Sequence, residues 1–129
     1  MRIIYGIGRA IFGGFFVYSG MNHFSNMEAL EGYAAAKRNH YPHLSVKGSG
    51  VLMTAAGTSL MLGIRPEIAA VAVAGFLSVA SASMHDFWNI EDPQTKQAEL
   101  IQFSKNVALI GAAIAIAGVQ HSRSHSPEE

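Results

Sequence analysis

An uncharged apolar run occupies residues 68–84 and reads IAAVAVAGFLSVASASM. Its only polar side chains are the hydroxyls of Ser78, Ser81 and Ser83. A helix on the surface of a soluble protein carries charged residues on its outer face, and this run has none. Its length is close to what a helix needs to cross the ~30 Å hydrocarbon core of a bilayer. The run therefore predicts a transmembrane helix.

Three more apolar segments of similar length accompany this run. Together they predict an all-α fold, an integral membrane bundle of four transmembrane helices in a single domain of residues 1–120. The predicted spans are about 3–24, 48–64, 68–86 and 100–119. Residues 121–129 are rich in Ser, His and Glu and predict a polar, mobile tail.

The connections between the spans differ in kind. Residues 27–41 mix Leu and Tyr with charged residues, which predicts a short interfacial helix in the first loop. In that helix Leu30, Tyr33 and Ala34 are expected to face lipid, and Lys37 to face water. Residues 90–99 are polar and are expected to form a loop that leads into the last span.

Composition excludes several classes of function. The 129 residues carry nine Lys and Arg against nine Asp and Glu, so there is no basic excess to bind nucleic acid. The chain has no Cys, which excludes disulfides, thiolate metal sites and cysteine nucleophiles. The lipid bilayer is the expected environment, together with a second copy of the chain or another membrane or redox protein as partner.

Polar residues on the first span predict a ligand site. At about 100° per residue, one narrow face of this helix carries Tyr5, Arg9, Phe12, Phe16, Ser19 and His23. An arginine within a span is costly unless it is paired or hydrated, so Arg9 is expected to point into the bundle. One alternative is a structural arginine that bonds helix ends or snorkels to headgroups. The other is a ligand-binding arginine, with Phe12 and Phe16 forming the apolar part of the site.

A second polar group is expected at the far end of the bundle, where the first and third spans end and the fourth begins. Its expected members are His23, Ser81, His85, Asp86, Lys105 and Asn106. Asp86 is expected to cap the fourth helix, to pair with Lys105 or to orient an imidazole. Near neutral pH, His85 is expected to shuttle protons or to donate a hydrogen bond to a carbonyl group. The alternative is that His85 has only a structural place at the membrane interface, with its hydrogen bonds satisfied there.

Metal binding is the weaker interpretation of the remaining histidines. His40 and His43 are three residues apart, and His121 and His125 are four apart. Such spacings hold metals on helices, but Pro42 interrupts the first pair and the second pair lies in the polar tail. We therefore predict no metal site.

Several motifs, in order along the chain, resemble the DoxX family of membrane proteins. They are Ile7-Gly8-Arg9-Ala10, Phe15–Phe24, Glu31-Gly32-Tyr33-Ala34, Met84-His85-Asp86-Phe87-Trp88 and Phe103-Ser104-Lys105-Asn106. The resemblance implies a four-helix, multi-pass protein of a bacterial inner membrane. Some members of the family are linked to thiosulfate:quinone oxidoreduction, or to membrane complexes that handle sulfur and oxidative stress.

The resemblance and the polar residues together favour a membrane or accessory subunit of a redox system, with a quinone as its non-covalent ligand. The chain has no cysteine, haem motif or flavin motif, so a stand-alone enzyme is not expected. Two alternatives stay open. One is a non-catalytic scaffold or assembly partner, and the other is a small-solute transporter, which at this length requires an oligomer.

Overall fold

The computed structural model describes residues 1–126, and within them it contains helices and their connections but no strand. The helices are α1 (Arg2–Ser25), α2 (Met27–Ala36), α3 (Pro42–Leu62), α4 (Pro66–Met84) and α5 (Pro93–His125), with a 3₁₀ turn at Phe87–Asn89. The predicted all-α fold class is confirmed.

The helix boundaries follow local sequence signals. Gly63 ends α3 with a left-handed φ of 74°, a conformation that glycine adopts without strain. Pro66 then opens α4 in its first turn, where proline costs no hydrogen bond. Asp92 caps α5 by accepting hydrogen bonds from the Thr95 amide at 2.8 Å and the Thr95 hydroxyl at 2.6 Å.

Two boundaries differ from the sequence expectation. The expected loop at residues 90–99 is helical from Pro93 onward, because Asp92 supplies the cap and Pro93 fits the first turn. At the other end α5 continues to His125, through the first part of the expected tail. There Arg123 packs on the ring of Tyr5, with its guanidinium carbon 4.2 Å from the ring centre. Residues 127–129 of the expected tail lie outside the described residues.

Three stretches of the described chain are long and apolar enough to cross a membrane. They are Arg2–Ser25, Pro66–Asn89 and Pro93–His125. The predicted span 48–64 lies mostly within α3, whose Gly, Ser and Thr residues and Lys47 lower its mean hydropathy. The existence of a helix in the first loop is confirmed by α2, while its place at a membrane interface stays a prediction, as does the fourth span.

Close glycine contacts join α1 to α3. A Cβ on Gly13 would lie 2.6 Å from the carbonyl oxygen of Gly57 and 2.8 Å from the amide nitrogen of Met61. A Cβ on Gly20 would lie 2.8 Å from the carbonyl oxygen of Gly50. Because Gly13 meets the end of α3 and Gly20 meets its middle, the two helices run antiparallel with their backbones in contact.

Helices α4 and α5 form a second pair. α4 and α5 are joined by residues 85–92 and pack along each other, and the turn at Gly63 connects this pair to α1 and α3. The core between the pairs is centred on Phe16, Leu60 and Val73, each at most 1% exposed. Large apolar side chains such as Ile4, Ile11 and Val79 remain at least 69% exposed on the outside, as expected for helices in contact with lipid.

Candidate functional site

A cavity of about 600 Å³ lies between the two helix pairs. All five α-helices contribute to its walls, which are mainly apolar. The apolar wall includes Phe16, Leu52, Met53, Phe76, Leu77 and Leu109. The polar residues that line it include Ser19, His23, Tyr33, Ser49, His85, Lys105 and Asn106. A large apolar chamber with a few polar groups is typical of a site for a small, mainly apolar ligand. We call it the interhelical cavity.

The structure brings six of the ten expected site residues to this cavity. They are Phe16, Ser19, His23, His85, Lys105 and Asn106. The other four, Arg9, Phe12, Ser81 and Asp86, do not line it. Phe16 and Ser19 of the predicted α1 face therefore line the same cavity as His23 and His85, whereas Arg9 lies apart from it.

Arg9 lies near the turn between α3 and α4. Its guanidinium group packs against Gly63, so closely that a side chain at that position would collide with it. The guanidinium carbon is also 5.9 Å from the ring centre of Tyr5. Nε and Nη1 of Arg9 are buried without a hydrogen-bond partner among the described residues. This position lies next to the carbonyl end of α3, and a helix C-terminus attracts a cation. The structural and the ligand-binding alternatives for Arg9 both stay predictions.

Phe12 and Ser81 have packing positions. The Phe12 ring lies 5.0 Å from the ring of Phe16, centre to centre, and so supports the cavity wall from behind. Ser81 is 4% exposed, and within residues 1–126 its hydroxyl has no hydrogen-bond partner.

His23 is held by α3. Its Nδ1 lies 2.8 Å from Ser49 Oγ and 3.3 Å from the carbonyl oxygen of Val46. The hydroxyl of Ser49 itself donates to the same Val46 carbonyl at 3.0 Å. Nδ1 is thereby engaged with α3, and the His23 side chain lines the cavity.

His85 is held by a buried carboxylate on α5. Its Nδ1 lies 2.6 Å from Oε2 of Glu99, a residue that is only 9% exposed. The other carboxylate oxygen, Oε1, accepts a hydrogen bond from the Tyr33 hydroxyl at 2.7 Å. The Tyr33 oxygen also lies 2.8 Å from the carbonyl oxygen of Met84. One carboxylate thus orients a histidine from the end of α4 and a tyrosine from α2.

Asp86 pairs with Lys37 rather than with Lys105. Lys37 Nζ lies 2.9 Å from Asp86 Oδ1 and 4.0 Å from Glu99 Oε1. None of the three expected roles of Asp86, as a cap, a partner of Lys105 or a support for an imidazole, is found in the described chain. The reason is that α2 packs over this end of the bundle and brings Lys37 closer. We refer to Tyr33, Lys37, His85, Asp86 and Glu99 as the Glu99 cluster.

The sequence interpretation missed three members of this cluster. Tyr33 and Lys37 were expected to face lipid and water, yet both point toward α4 and α5. Glu99 was assigned to a loop. The signal for it was present: helical continuation of the fourth span back to Asp92 puts Glu99 two turns from the cap, on a face that also carries Asn106, which is buried as well.

The environment of Tyr33 changes its acidity. Burial is the larger cause and raises the pKa of the phenol well above its usual value of 10.0, and the hydrogen bond to Glu99 raises it further. The hydroxyl therefore stays protonated and able to donate.

The remaining histidine pairs do not assemble a metal centre. No group of three or more His, Asp or Glu side chains in residues 1–126 is arranged to hold a metal ion. His43 Nδ1 lies 2.6 Å from Oε1 of Glu31, which ties the start of α3 to α2. The rings of His121 and His125 lie 4.3 Å apart near the end of α5.

Comparison with known proteins gives one match. Neither the curated proteins nor the solved structures contain a significant match to the chain. The sequence model of the DoxX family matches residues 5–86, from Tyr5 on α1 to Asp86 at the end of α4. The match covers well over half of the 129 residues and includes both cavity histidines. The chain belongs to the DoxX family of membrane proteins.

Proposed function

We propose that this DoxX protein is a membrane subunit of a redox system and binds a quinone-type ligand in the interhelical cavity. The observation that supports this most is the composition of the cavity, which combines mainly apolar walls with a histidine from each helix pair. A quinone-type ligand is an apolar ring with two oxygen atoms, and it needs an apolar slot with a few polar contacts.

In this proposal α1, α3, α4 and α5 all cross a bacterial inner membrane, and α2 lies at the interface. The outward side of α3 supports a fourth span, since Val51 is 55% exposed and Leu62 is 66% exposed. In water such residues would cost free energy, and in hydrocarbon they would not. The ten residues of α2 are too few to cross a bilayer.

The protein is proposed to act with a partner. Oxidation or reduction of a quinone-type ligand moves two electrons, and the chain has no cysteine to carry them. The electrons would pass to or from a redox cofactor on another protein, in keeping with the sulfur-linked systems of the family. The chain contributes the binding site and the groups that hydrogen-bond the ligand.

The test is to purify the protein in mild detergent and to analyse bound small molecules by mass spectrometry. Gly48 lines the cavity, and a Cβ there meets no atom within 4 Å, so Gly48→Leu adds a bulky side chain at the cavity wall without a backbone clash. Gly111 is also helical and open but does not line the cavity, so Gly111→Leu is the matched control.

We expect a quinone-type molecule at near-stoichiometric amounts in the parent and in Gly111→Leu, and its loss in Gly48→Leu. The proposal fails if all three proteins carry only phospholipid and added short-chain quinones do not bind. In that case the scaffold function becomes the better account, and co-purifying membrane proteins should be identified instead.

A further inference from the structure

At each of the two cavity histidines, Nδ1 faces an oxygen atom that can only accept a hydrogen bond, the Val46 carbonyl or the Glu99 carboxylate. At His23, the Val46 carbonyl oxygen 3.3 Å away can only accept a hydrogen bond. The Ser49 hydroxyl donates its proton to the same carbonyl and therefore accepts a hydrogen bond from His23. The three contacts among His23, Ser49 and Val46 can all be hydrogen bonds only if Nδ1 of His23 is protonated.

The same reasoning applies to His85. Its Nδ1 faces Oε2 of Glu99 at 2.6 Å, and the carboxylate accepts from Tyr33 through its other oxygen. An ionised carboxylate accepts only, so Nδ1 of His85 carries the proton. In a neutral imidazole one nitrogen donates and the other accepts. In its neutral form each ring therefore leaves Nε2 unprotonated, as a hydrogen-bond acceptor.

From this we infer that the interhelical cavity selects the reduced, dihydroxy form of a quinone-type ligand over the oxidised, dicarbonyl form. This inference rests on the proposed function. His23 from α1 and His85 from the end of α4 line opposite helix pairs, so each is available to one side of a ligand. The two Nε2 acceptors match the two hydroxyl groups of a hydroquinone, which can donate hydrogen bonds to them. The two carbonyl oxygens of a quinone would instead meet the lone pairs of the Nε2 atoms without a proton between them.

The other polar residues of the cavity do not reverse this selection. The hydroxyls of Tyr33, Ser49 and Ser83 already donate, to Glu99 and to the Val46 and Val79 carbonyls. The Asn39 amide donates to the Ser45 hydroxyl. The hydroxyl of Ser19 and the amide of Asn106 can each donate or accept, so they suit both forms of the ligand. Lys105 only donates and would favour a carbonyl, but its side chain is exposed, whereas both histidines are half-buried. A hydrogen bond in a half-buried place discriminates more than one that competes with solvent.

The direct test is the tautomer itself. In protein labelled with ¹⁵N-histidine, NMR chemical shifts distinguish a protonated ring nitrogen from an unprotonated one, and His23→Phe and His85→Phe assign the two rings. We expect protonated Nδ1 and unprotonated Nε2 in both residues at a pH where the rings are neutral. A protonated Nε2 in either neutral ring would overturn the inference whether or not a ligand binds.

The second test compares three probes under anaerobic conditions: a short-chain hydroquinone, its quinone and its dimethyl ether. Each histidine should favour the hydroquinone by about twofold to tenfold, the value of one hydrogen bond. His23→Phe and His85→Phe should each weaken hydroquinone binding more than quinone binding, by about that factor. His43→Ala is the matched control, since His43 is exposed and does not line the cavity.

The outcomes separate the two proposals. If no probe binds, the proposed function fails. If the probes bind but the quinone binds as tightly as the hydroquinone, or the histidine variants weaken both equally, quinone binding stands and the inference fails.

Discussion

Oε2 of Glu99 lies 2.6 Å from Nδ1 of His85, which joins the second turn of α5 to the residue that follows α4. The carboxylate is nearly buried, and its second oxygen is hydrogen-bonded to Tyr33 on α2. Glu99 thus fixes the orientation of a cavity histidine and connects α2 to the pair formed by α4 and α5.

Replacing Glu99 with Gln should destabilise the protein by about 1–3 kcal/mol, because charge-assisted hydrogen bonds are replaced by neutral ones and one partner is left unpaired. The free energy of unfolding in mild detergent measures this. Glu91→Gln is the matched control, since Glu91 is exposed, and it should change stability by less than about 0.5 kcal/mol. Equal stability of the two variants would contradict the role given to Glu99.

The raised pKa of Tyr33 gives a pH dependence with a defined sign. The folded state favours the neutral phenol, so the stabilisation is complete below the ordinary pKa of 10.0 and is lost as the pH rises above it. We expect the parent to be more stable than Tyr33→Phe at neutral pH and this difference to shrink at alkaline pH. In absorbance titrations, Tyr33→Phe should lack the phenolate that forms last. A stability difference that grows with pH would contradict this account.

The helical periodicity of the sequence was enough to predict much of this architecture and part of the candidate site. The uncharged run at residues 68–84 was sufficient to locate α4, and the helical face of α1 correctly brought Phe16, Ser19 and His23 together. Periodicity could not predict where α2 packs. A ten-residue amphipathic helix has the same sequence pattern whether its polar side faces water or other helices. Tertiary contacts determine which of the two it faces.

Arg9 illustrates the same difficulty at the other end of the bundle. Its cost in a membrane was readable from the sequence, but its position beside Gly63, at the end of α3, depends on how α1 packs against α3. A helix end has no charged side chain that marks it in the sequence, and Nε and Nη1 of Arg9 have no hydrogen-bond partner within residues 1–126. That a ligand supplies this contact stays a prediction.

The glycine contacts between α1 and α3 predict a contrast between two positions on one helix. Gly13→Ala should destabilise the protein by about 1–3 kcal/mol, since the new methyl group would overlap the backbone of α3. Gly6→Ala meets no atom within 4 Å and should be neutral or slightly stabilising, because alanine favours a helix more than glycine. Thermal unfolding of both variants in the same detergent provides the measurement, and a more stable Gly13→Ala would show that the helices are farther apart.

The ion pair between Lys37 and Asp86 predicts a measurable coupling between α2 and the end of α4. Their side chains are 18% and 24% exposed, which leaves the pair partly screened, so its coupling free energy should be about 1 kcal/mol or less. A double-mutant cycle with Lys37→Met and Asp86→Asn isolates it, since the double variant should lose less than the sum of the two single losses. Lys47→Met, at an exposed lysine, combined with Asp86→Asn should show additive effects. Additivity in both cycles would mean that this ion pair does not help to hold α2, and that Tyr33, the contact between Glu31 and His43, and apolar packing do so.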